Sequence, residues 1–311
     1  MIKKTLCFSN PAYLSMTNKQ LVIKMPEVEK PDNVSEVIKR QAVRTIPIED
    51  IGIVVLDNKQ ITITQGAIES LLNNTAAVIT CNDKHMPQGM LLPLEGNNVQ
   101  NERFRNQIDA SLPLKKQLWQ QTVKAKIKNQ YGCLRKNTDD EAMRLYKLAQ
   151  DVKSGDSDNC ESQAAVYYWR NIFPNIENFI RDKEGLPPNN LLNYGYAILR
   201  AIVARSLVIS GLLPVSGIHH RNRYNAYCLA DDIMEPYRPY VDDLVISMIK
   251  NQKELPEELS VEIKREMLMI PVIDVMINST HSPLMIAVGQ TTASLAKCFG
   301  GDARKIVYPE F

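Results

Sequence analysis

The pattern of hydrophobic and polar positions changes period once along the chain, near residue 95. Before that point, short runs of β-branched and aliphatic residues alternate with turn formers. The runs are Thr5–Phe8, Tyr13–Met16, Leu21–Met25, Val43–Ile48, Ile51–Leu56 and Ile61–Thr64, with Asn18-Lys19 and Asp57-Asn58 as turns. Such runs predict strands. Gln65–Leu72 reads as one short helix, and Ala77–Cys81 as a strand entering a loop over Asn82–Gly89. His85 sits in that loop with no acidic neighbour at ligand spacing, so it reads as structural or exposed. Leu94–Asn101 is rich in Asn, Gln and Gly and has the composition of a linker. The expected architecture is α+β with two domains: a small β-rich domain over 1–97 and a larger all-α domain over 98–311.

Helical spacing dominates the second part. Leu112, Leu118, Trp119, Val123 and Ile127 form one helical face. Lys115, Lys116, Lys124, Lys126 and Lys128 fill the remainder, after Arg103 and Arg105. No acidic residue interrupts these lysines, so a phosphate-facing surface is as good a reading as a solvated helix face. Glu141–Ala149 predicts another helix, ended by Ser154–Asp158. Asn190–Leu213 holds the most apolar helix, long enough to suggest a membrane span. Asn193, Arg200 and Arg205 lie inside it, each costly in hydrocarbon, so a buried central helix is expected and no membrane. Pro236 and Pro239 break or kink the next helix, which resumes over Tyr240–Lys250. Glu257–Ile277 reads as further helix with Lys264, Arg265 and Glu266 solvated, and Ser282–Phe299 as the last.

With 44% hydrophobic and 23% charged residues the chain is an ordinary globular protein, not a disordered one. A net charge of only +2 means that any nucleic-acid site must be a local patch. None of the six cysteines forms a C-x-x-C pair, which favours free thiols in a reducing cytoplasm. The N-terminus lacks the sustained apolar stretch of a signal peptide.

The densest chemistry lies between Gly217 and Pro239, which holds two of the chain's four histidines. Asp232 and Glu235 are i, i+3 and share a helix face. His220 can meet them only if Arg221–Asn225 is not plain helix, or if the helix folds back. One imidazole beside two carboxylates suits Mg²⁺ or Mn²⁺. Adjacent His219 and His220 point apart, so both cannot face one ion; His219 would pack, hydrogen-bond or contact DNA. Arg221, Arg223 and Arg238 surround the stretch. Arg238 reads as a partner of Glu235, Arg221 or Arg223 as a phosphate contact, and Asp231 as surface. Glu161 stands at N3 of a helix that Asp158 could cap, and a capping box would explain both. It also shares a face with Ala164, Ala165, Tyr168, Trp169 and Ile172, where a carboxylate needs an amide, an arginine or a metal.

His220, Asn225, Leu229 and the run Asp232–Pro239 closely resemble the signature of the CRISPR-associated spacer-acquisition integrase. Glu161–Trp169 resembles that family's E-x-x-A-A-x-x-Y-[FW] element, and the Cys81–Pro87 run looks most like the type II version. The resemblance implies a prokaryotic, cytoplasmic enzyme with Glu161, His220 and Glu235 as metal ligands and Asp232 as a nearby carboxylate. It implies strand transfer, in which a DNA 3′-hydroxyl attacks a phosphodiester of the CRISPR array, with nuclease action as a side activity. The implied partners are double-stranded DNA (fragment and array), a second copy through the β-rich domain, and a small ferredoxin-like CRISPR-associated protein completing a heterohexamer. Other type II adaptation proteins and the RNA-guided effector nuclease join them. Two other readings compete: a non-catalytic helical nucleic-acid-binding scaffold, and a metal-dependent RNA nuclease.

Overall fold

The computed structural model describes residues 3–26, 43–83, 85–250 and 255–311. Met1 and Ile2 of the N-terminal segment, and Lys84 of the Cys81–Pro87 run, lie outside them. The chain divides into two compact units, Met1–Leu94 and Glu95–Phe311.

In the first unit, strands β1 (Lys4–Phe8), β5 (Ile51–Leu56), β7 (Ala77–Cys81) and β8 (Pro87–Leu91) form one sheet in the order β1-β5-β7-β8. The first three run parallel and β8 antiparallel. The run Ile51–Val55 is buried at every position, as a parallel strand covered on both faces should be. A second sheet, in the order β4-β3-β2-β6, joins β2 (Tyr13–Thr17), β3 (Gln20–Lys24), β4 (Arg44–Pro47) and β6 (Thr62–Ile63). Helix α1 (Gln65–Asn73), capped by Thr64 Oγ1, closes their shared core around Leu14, Leu21, Val54 and Leu71. Part of the expected loop over Asn82–Gly89 is strand. The Asn82 amide donates to the Met86 carbonyl at 2.9 Å and folds β7 back into β8. His85 pairs through Nδ1 with Asp57 Oδ1 at 2.9 Å.

The second unit is built on α3 (Leu112–Asn137), started by Ser111 Oγ at the Leu114 amide. Around it lie α2 (Gln100–Ile108), α4 (Met143–Asp151), α5 (Cys160–Asn171), α6 (Asn189–Ile209), α7 (Cys228–Met234), α8 (Arg238–Ile249), α9 (Val261–Met267) and α10 (Leu284–Gly300). By length and composition α6 could cross a membrane, yet most of it is buried inside the protein. Two of its polar residues are matched within the fold. Arg200 Nε meets Asp231 Oδ1 at 2.6 Å, and Asn193 Nδ2 donates to the Lys183 carbonyl at 2.8 Å. A Cβ on Gly195 would run into Val241, so glycine sets how closely α6 and α8 approach.

Glu257–Ile277 is not one helix. Only α9 is helical in the α sense, and Lys264 within it is buried rather than solvated. Pro271 then stands in a 3-10 turn, and β9 (Asp274–Ile277) pairs antiparallel with β10 (Thr280–Pro283). Asn278 and Ser279, both at positive φ, make the two-residue turn that matches strand twist. The C-terminal segment lies along α3, where Asn129 Nδ2 donates to the Pro309 carbonyl and Asn129 Oδ1 accepts the Phe311 amide.

Candidate metal centre

Three pieces of the second unit converge beside the middle of α3. The first is the non-helical stretch from Gly217 to Tyr227, which satisfies the condition for His220 to approach Glu235. It is wrapped around Asp232, a completely buried residue of α7. Asp232 Oδ2 accepts the backbone amides of Ile218 at 2.7 Å and His219 at 3.0 Å. Its Oδ1 accepts the His220 amide at 3.3 Å and faces His220 Nδ1 at 2.5 Å. Gly217 permits this wrap, because a Cβ there would collide with the His220 carbonyl and with Asp232 Oδ2. At the far end Asn225 Nδ2 donates to Asp231 Oδ2 at 2.7 Å. Asp231 is therefore a buried anchor, paired also with Arg200, and not the surface residue its position suggested.

All the oxygen capacity of Asp232 goes into the loop, so it orients His220 and has no lone pair directed elsewhere. With Nδ1–H assigned to that hydrogen bond, Nε2 is the free ring nitrogen. The hydrogen bond to Asp232 raises the His220 pKa above the ordinary imidazole value against the effect of burial, and Glu235 and Glu161 add to it. His219 lies flat on Trp119, with ring centroids 4.2 Å apart and planes 2° from parallel, whereas His220 meets the same indole edge-on. Burial, then the neighbouring His220, push the His219 pKa down.

The second piece is the start of α5. The carboxylate that caps it is Asp156, which accepts the amides of Cys160 at 2.9 Å and Glu161 at 3.0 Å. Asp158 instead pairs with Lys153 at 2.7 Å, so the capping box of Asp158 and Glu161 does not form. The Glu161 side chain is left free to point at α3, where its Oε1 accepts from Lys126 Nζ at 2.6 Å.

The third piece is the 3-10 turn Glu235–Tyr237 that joins α7 to α8. Glu235 is buried; its Oε1 pairs with Arg238 Nη2 at 2.9 Å and its Oε2 lies 2.6 Å from the same Lys126 Nζ. That second contact is an ion pair without hydrogen-bonding geometry, so buried Oε2 has no hydrogen-bond partner among the described residues. Burial alone would raise the Glu235 pKa, but the charges of Arg238 and Lys126 outweigh it and hold the carboxyl below its ordinary range. Lys126 is the mirror case: burial favours the neutral amine, Glu235 and Glu161 outweigh burial, and the pKa is raised.

Among the described residues, no three Asp, Glu, His or Cys side chains close on one point at ligand distances. The Lys126 ammonium holds the point between the two carboxylates instead. Glu161 Oε1 and Glu235 Oε2 both lie 2.6 Å from one nitrogen, so they are at most about 5.2 Å apart, twice that distance. Hard divalent ions take carboxylate oxygens at about 2.0–2.1 Å and tolerate one imidazole, so the donor set fits such an ion.

A family model described as "CRISPR associated protein Cas1" matches residues 6–269. The chain belongs to the Cas1 family. The CRISPR-associated endonuclease Cas1 of Neisseria meningitidis serogroup C (strain 8013) is 34% identical over 312 residues, covering 100% of this chain and 97% of that protein. Among solved structures, a casposase bound to integration product is similar with a TM-score of 0.76 at 19% identity, covering 97% of this chain and 92% of that one. A Cas6-RT-Cas1–Cas2 complex is similar with a TM-score of 0.76 at 20% identity, covering 100% of this chain and 36% of that one. These two share the fold: a β-rich N-terminal part followed by a mostly helical part.

Within this Cas1-family chain the lysine run needs correction. At about 100° per residue, Lys126 falls in the buried stripe of α3 with Trp119, Val123, Gln130 and Cys133, while Lys124 and Lys128 face the opposite side. Lys126 is therefore not part of a DNA-facing surface, because both its contacts are to carboxylates in the interior. Lys115 reaches the Ile108 carbonyl, and Lys116 packs its stem against Gly155. Lys124 and Lys128 border an open groove of about 1240 Å³, together with Arg304 and Lys305, which the sequence pattern did not single out. Arg221 and Arg223 are exposed on the His220 loop, Arg223 over the ring of Tyr224.

Proposed function

We propose that this Cas1-family chain is a divalent-metal-dependent DNA integrase that inserts short fragments into a CRISPR array. The observation that carries the proposal is the meeting of Glu161 and Glu235, from separate elements, on a single cation, with both carboxylates acting on the charge of His220, whose Nδ1 is held by Asp232. In this reading Glu161, Glu235 and His220 Nε2 hold Mg²⁺ or Mn²⁺, and Asp232 fixes the imidazole. The ion would polarise the scissile phosphate and ease deprotonation of the attacking hydroxyl. A fragment 3′-hydroxyl attacks phosphorus, a new P–O bond forms, and the bond to the array strand's bridging oxygen breaks. The attacking oxygen's proton goes to solvent, and the leaving oxygen takes one up as a new hydroxyl. Arg221 and Arg223 supply guanidinium forks for phosphates around the centre. Lys124 and Lys128, with Arg304 and Lys305, offer a second backbone-binding strip along their groove. Attack by water at the same centre would give the accompanying nuclease activity.

The same reading carries the partners: duplex DNA, a second copy of the chain through the N-terminal unit, and a small ferredoxin-like CRISPR-associated protein in a heterohexamer. Similarity to a chain of a Cas6-RT-Cas1–Cas2 complex supports a CRISPR-associated partner, without bearing on its fold or on the stoichiometry. Other type II adaptation proteins and the RNA-guided effector nuclease follow from the Cys81–Pro87 run. A prokaryotic cytoplasm suits the cysteines, which are all free thiols.

One observation favours a non-catalytic scaffold instead: Lys126 pairs with both carboxylates. Melting with added Mn²⁺ separates the two, since an ion bound only by the native state raises the melting temperature. The decisive test is an integration assay with the purified partner. Glu161→Gln should reduce strand transfer to background while the fold survives; normal integration by that variant would sink the proposal.

A further inference from the structure

We propose that Lys126 is the resident counter-cation of the carboxylate pair, and that its ammonium and a divalent ion exclude one another from that pair. The inference rests on reading Glu161 and Glu235 as metal ligands, and it adds a competitor to them. Lys126 Nζ stands 2.6 Å from one oxygen of each carboxylate. An ion at about 2 Å from both oxygens would lie at most about 4.6 Å from the nitrogen, the sum of the two contact lengths, and would compete for the same two oxygens while repelling the ammonium.

Three features make Lys126 a replaceable cation rather than a fixed strut. The ammonium sits on a flexible four-carbon stem and can withdraw while α3 keeps its place. Arg238 independently holds Glu235 Oε1 at 2.9 Å. Glu235 therefore keeps one cation when the other leaves. Lys126 is also 11% exposed at its side chain, so a path toward solvent exists.

The arrangement resolves a difficulty that any metal-free form of such a site must face. Two carboxylates at most about 5.2 Å apart, one of them buried, repel each other and would unsettle the fold. Lys126 removes that repulsion until an ion of higher charge arrives. Monovalent ions carry no more charge than the ammonium and should not displace it. Apparent divalent affinity is lowered by the fraction of molecules in which Lys126 is in place.

The test is a labelling and binding experiment on the full chain with Mn²⁺ as the probe. Lysines are reductively methylated with and without saturating Mn²⁺ at fixed pH and ionic strength, and Lys126 is read by mass spectrometry. Labelling of Lys126 should rise several-fold with Mn²⁺, not with K⁺, while Lys136 stays constant. In parallel, Lys126→Met should bind Mn²⁺ about tenfold more tightly than wild type, by electron paramagnetic resonance of the free ion, and should melt lower without metal. Lys126→Arg, which keeps the charge, should show no such gain. If wild type binds Mn²⁺, loses it on Glu161→Gln, and yet Lys126 stays protected, the exclusion is overturned and the metal reading stands. If wild type binds no Mn²⁺, or Glu161→Gln binds it equally well, the metal reading itself fails and takes this inference with it. The wild-type labelling decides the matter even should Lys126→Met not fold.

Discussion

Two buried carboxylates in the helical unit lie on either side of Arg238, and they are solvated in opposite ways. Glu235 is surrounded by full charges, Arg238 on one oxygen and Lys126 on the other, and stays ionised. Asp242, on α8, is hydrogen-bonded by neutral hydroxyls, Tyr168 to its Oδ2 at 2.9 Å and Tyr196 to its Oδ1 at 2.5 Å, with the charges of Arg238 and Arg181 as lesser influences. Burial drives the Asp242 pKa up to about 7 in spite of those hydrogen bonds. Hydroxyls fix a side chain in place but do not compensate a charge, which suits a packing element. Full charges can be exchanged for another ion, which suits a site that must be loaded.

The contrast can be broken at either end. The largest effect is expected at Glu235→Gln. It leaves Lys126 and Arg238 with an uncompensated buried charge, which should cost about 3–5 kcal/mol in urea unfolding and abolish Mn²⁺ binding. Asp242→Asn should cost no more than about 1 kcal/mol, and least at high pH, because an amide can still hydrogen-bond the tyrosines and carries no buried charge. Equal losses from the two variants would erase the distinction.

Next comes the link between Asp232 and His220. Mn²⁺ affinity should weaken as pH falls through the His220 pKa, which Asp232 holds above the usual imidazole value. Asp232→Asn should move that loss to lower pH and weaken binding about 10–100-fold at neutral pH. An unchanged midpoint would remove Asp232 from the centre.

A third and smaller effect follows from linkage at Asp242. Its folded pKa of about 7 lies above the unfolded value near 3.9, so the folded state holds this proton more tightly. The stability it contributes is complete below about pH 4 and is lost as pH rises to about 7. Asp242→Asn has no such dependence, so the variant should gain on wild type across that window in parallel denaturation curves. A constant difference would place the carboxyl in a more polar setting than its two tyrosines provide.

The smallest effect concerns the groove. Reversing Lys124 and Lys128 to Glu should lower the salt slope of duplex binding by roughly 0.9 for each phosphate no longer neutralised, whereas Lys116→Glu should leave it unchanged. If all three behave alike, the groove is ordinary surface.

Much of this was legible in the sequence. Period-2 and period-3.6 patterns located the two units and most elements, because each is a local property. Which strands pair was not, since β1 finds its neighbour in β5 only after strands of another sheet intervene. The β9–β10 hairpin was missed because Val275 and Ile277 also suit a helix stripe; its turn residues, Asn278 and Ser279, carried the better signal. At the site, the spacing of His220, Asp232 and Glu235 was readable, but not the direction of Asp232, which depends on three backbone amides. Lys126 was misread as one of a run of like charges. Its phase with Trp119, Val123, Gln130 and Cys133 was the overlooked clue: a lysine on the apolar side of a helix must have an anion waiting.

The stack of His219 on Trp119 turns the loop into an optical instrument. The chain has only two tryptophans, and Trp119 is buried with an imidazole flush against its face. Replacing Trp169 with Phe would leave a single tryptophan, excited apart from the twelve tyrosines at the red edge, whose brightness depends on whether that ring stays put and uncharged. Ordering or release of the His219-His220 segment would then register as a change in fluorescence within milliseconds, with no dye attached and no DNA present.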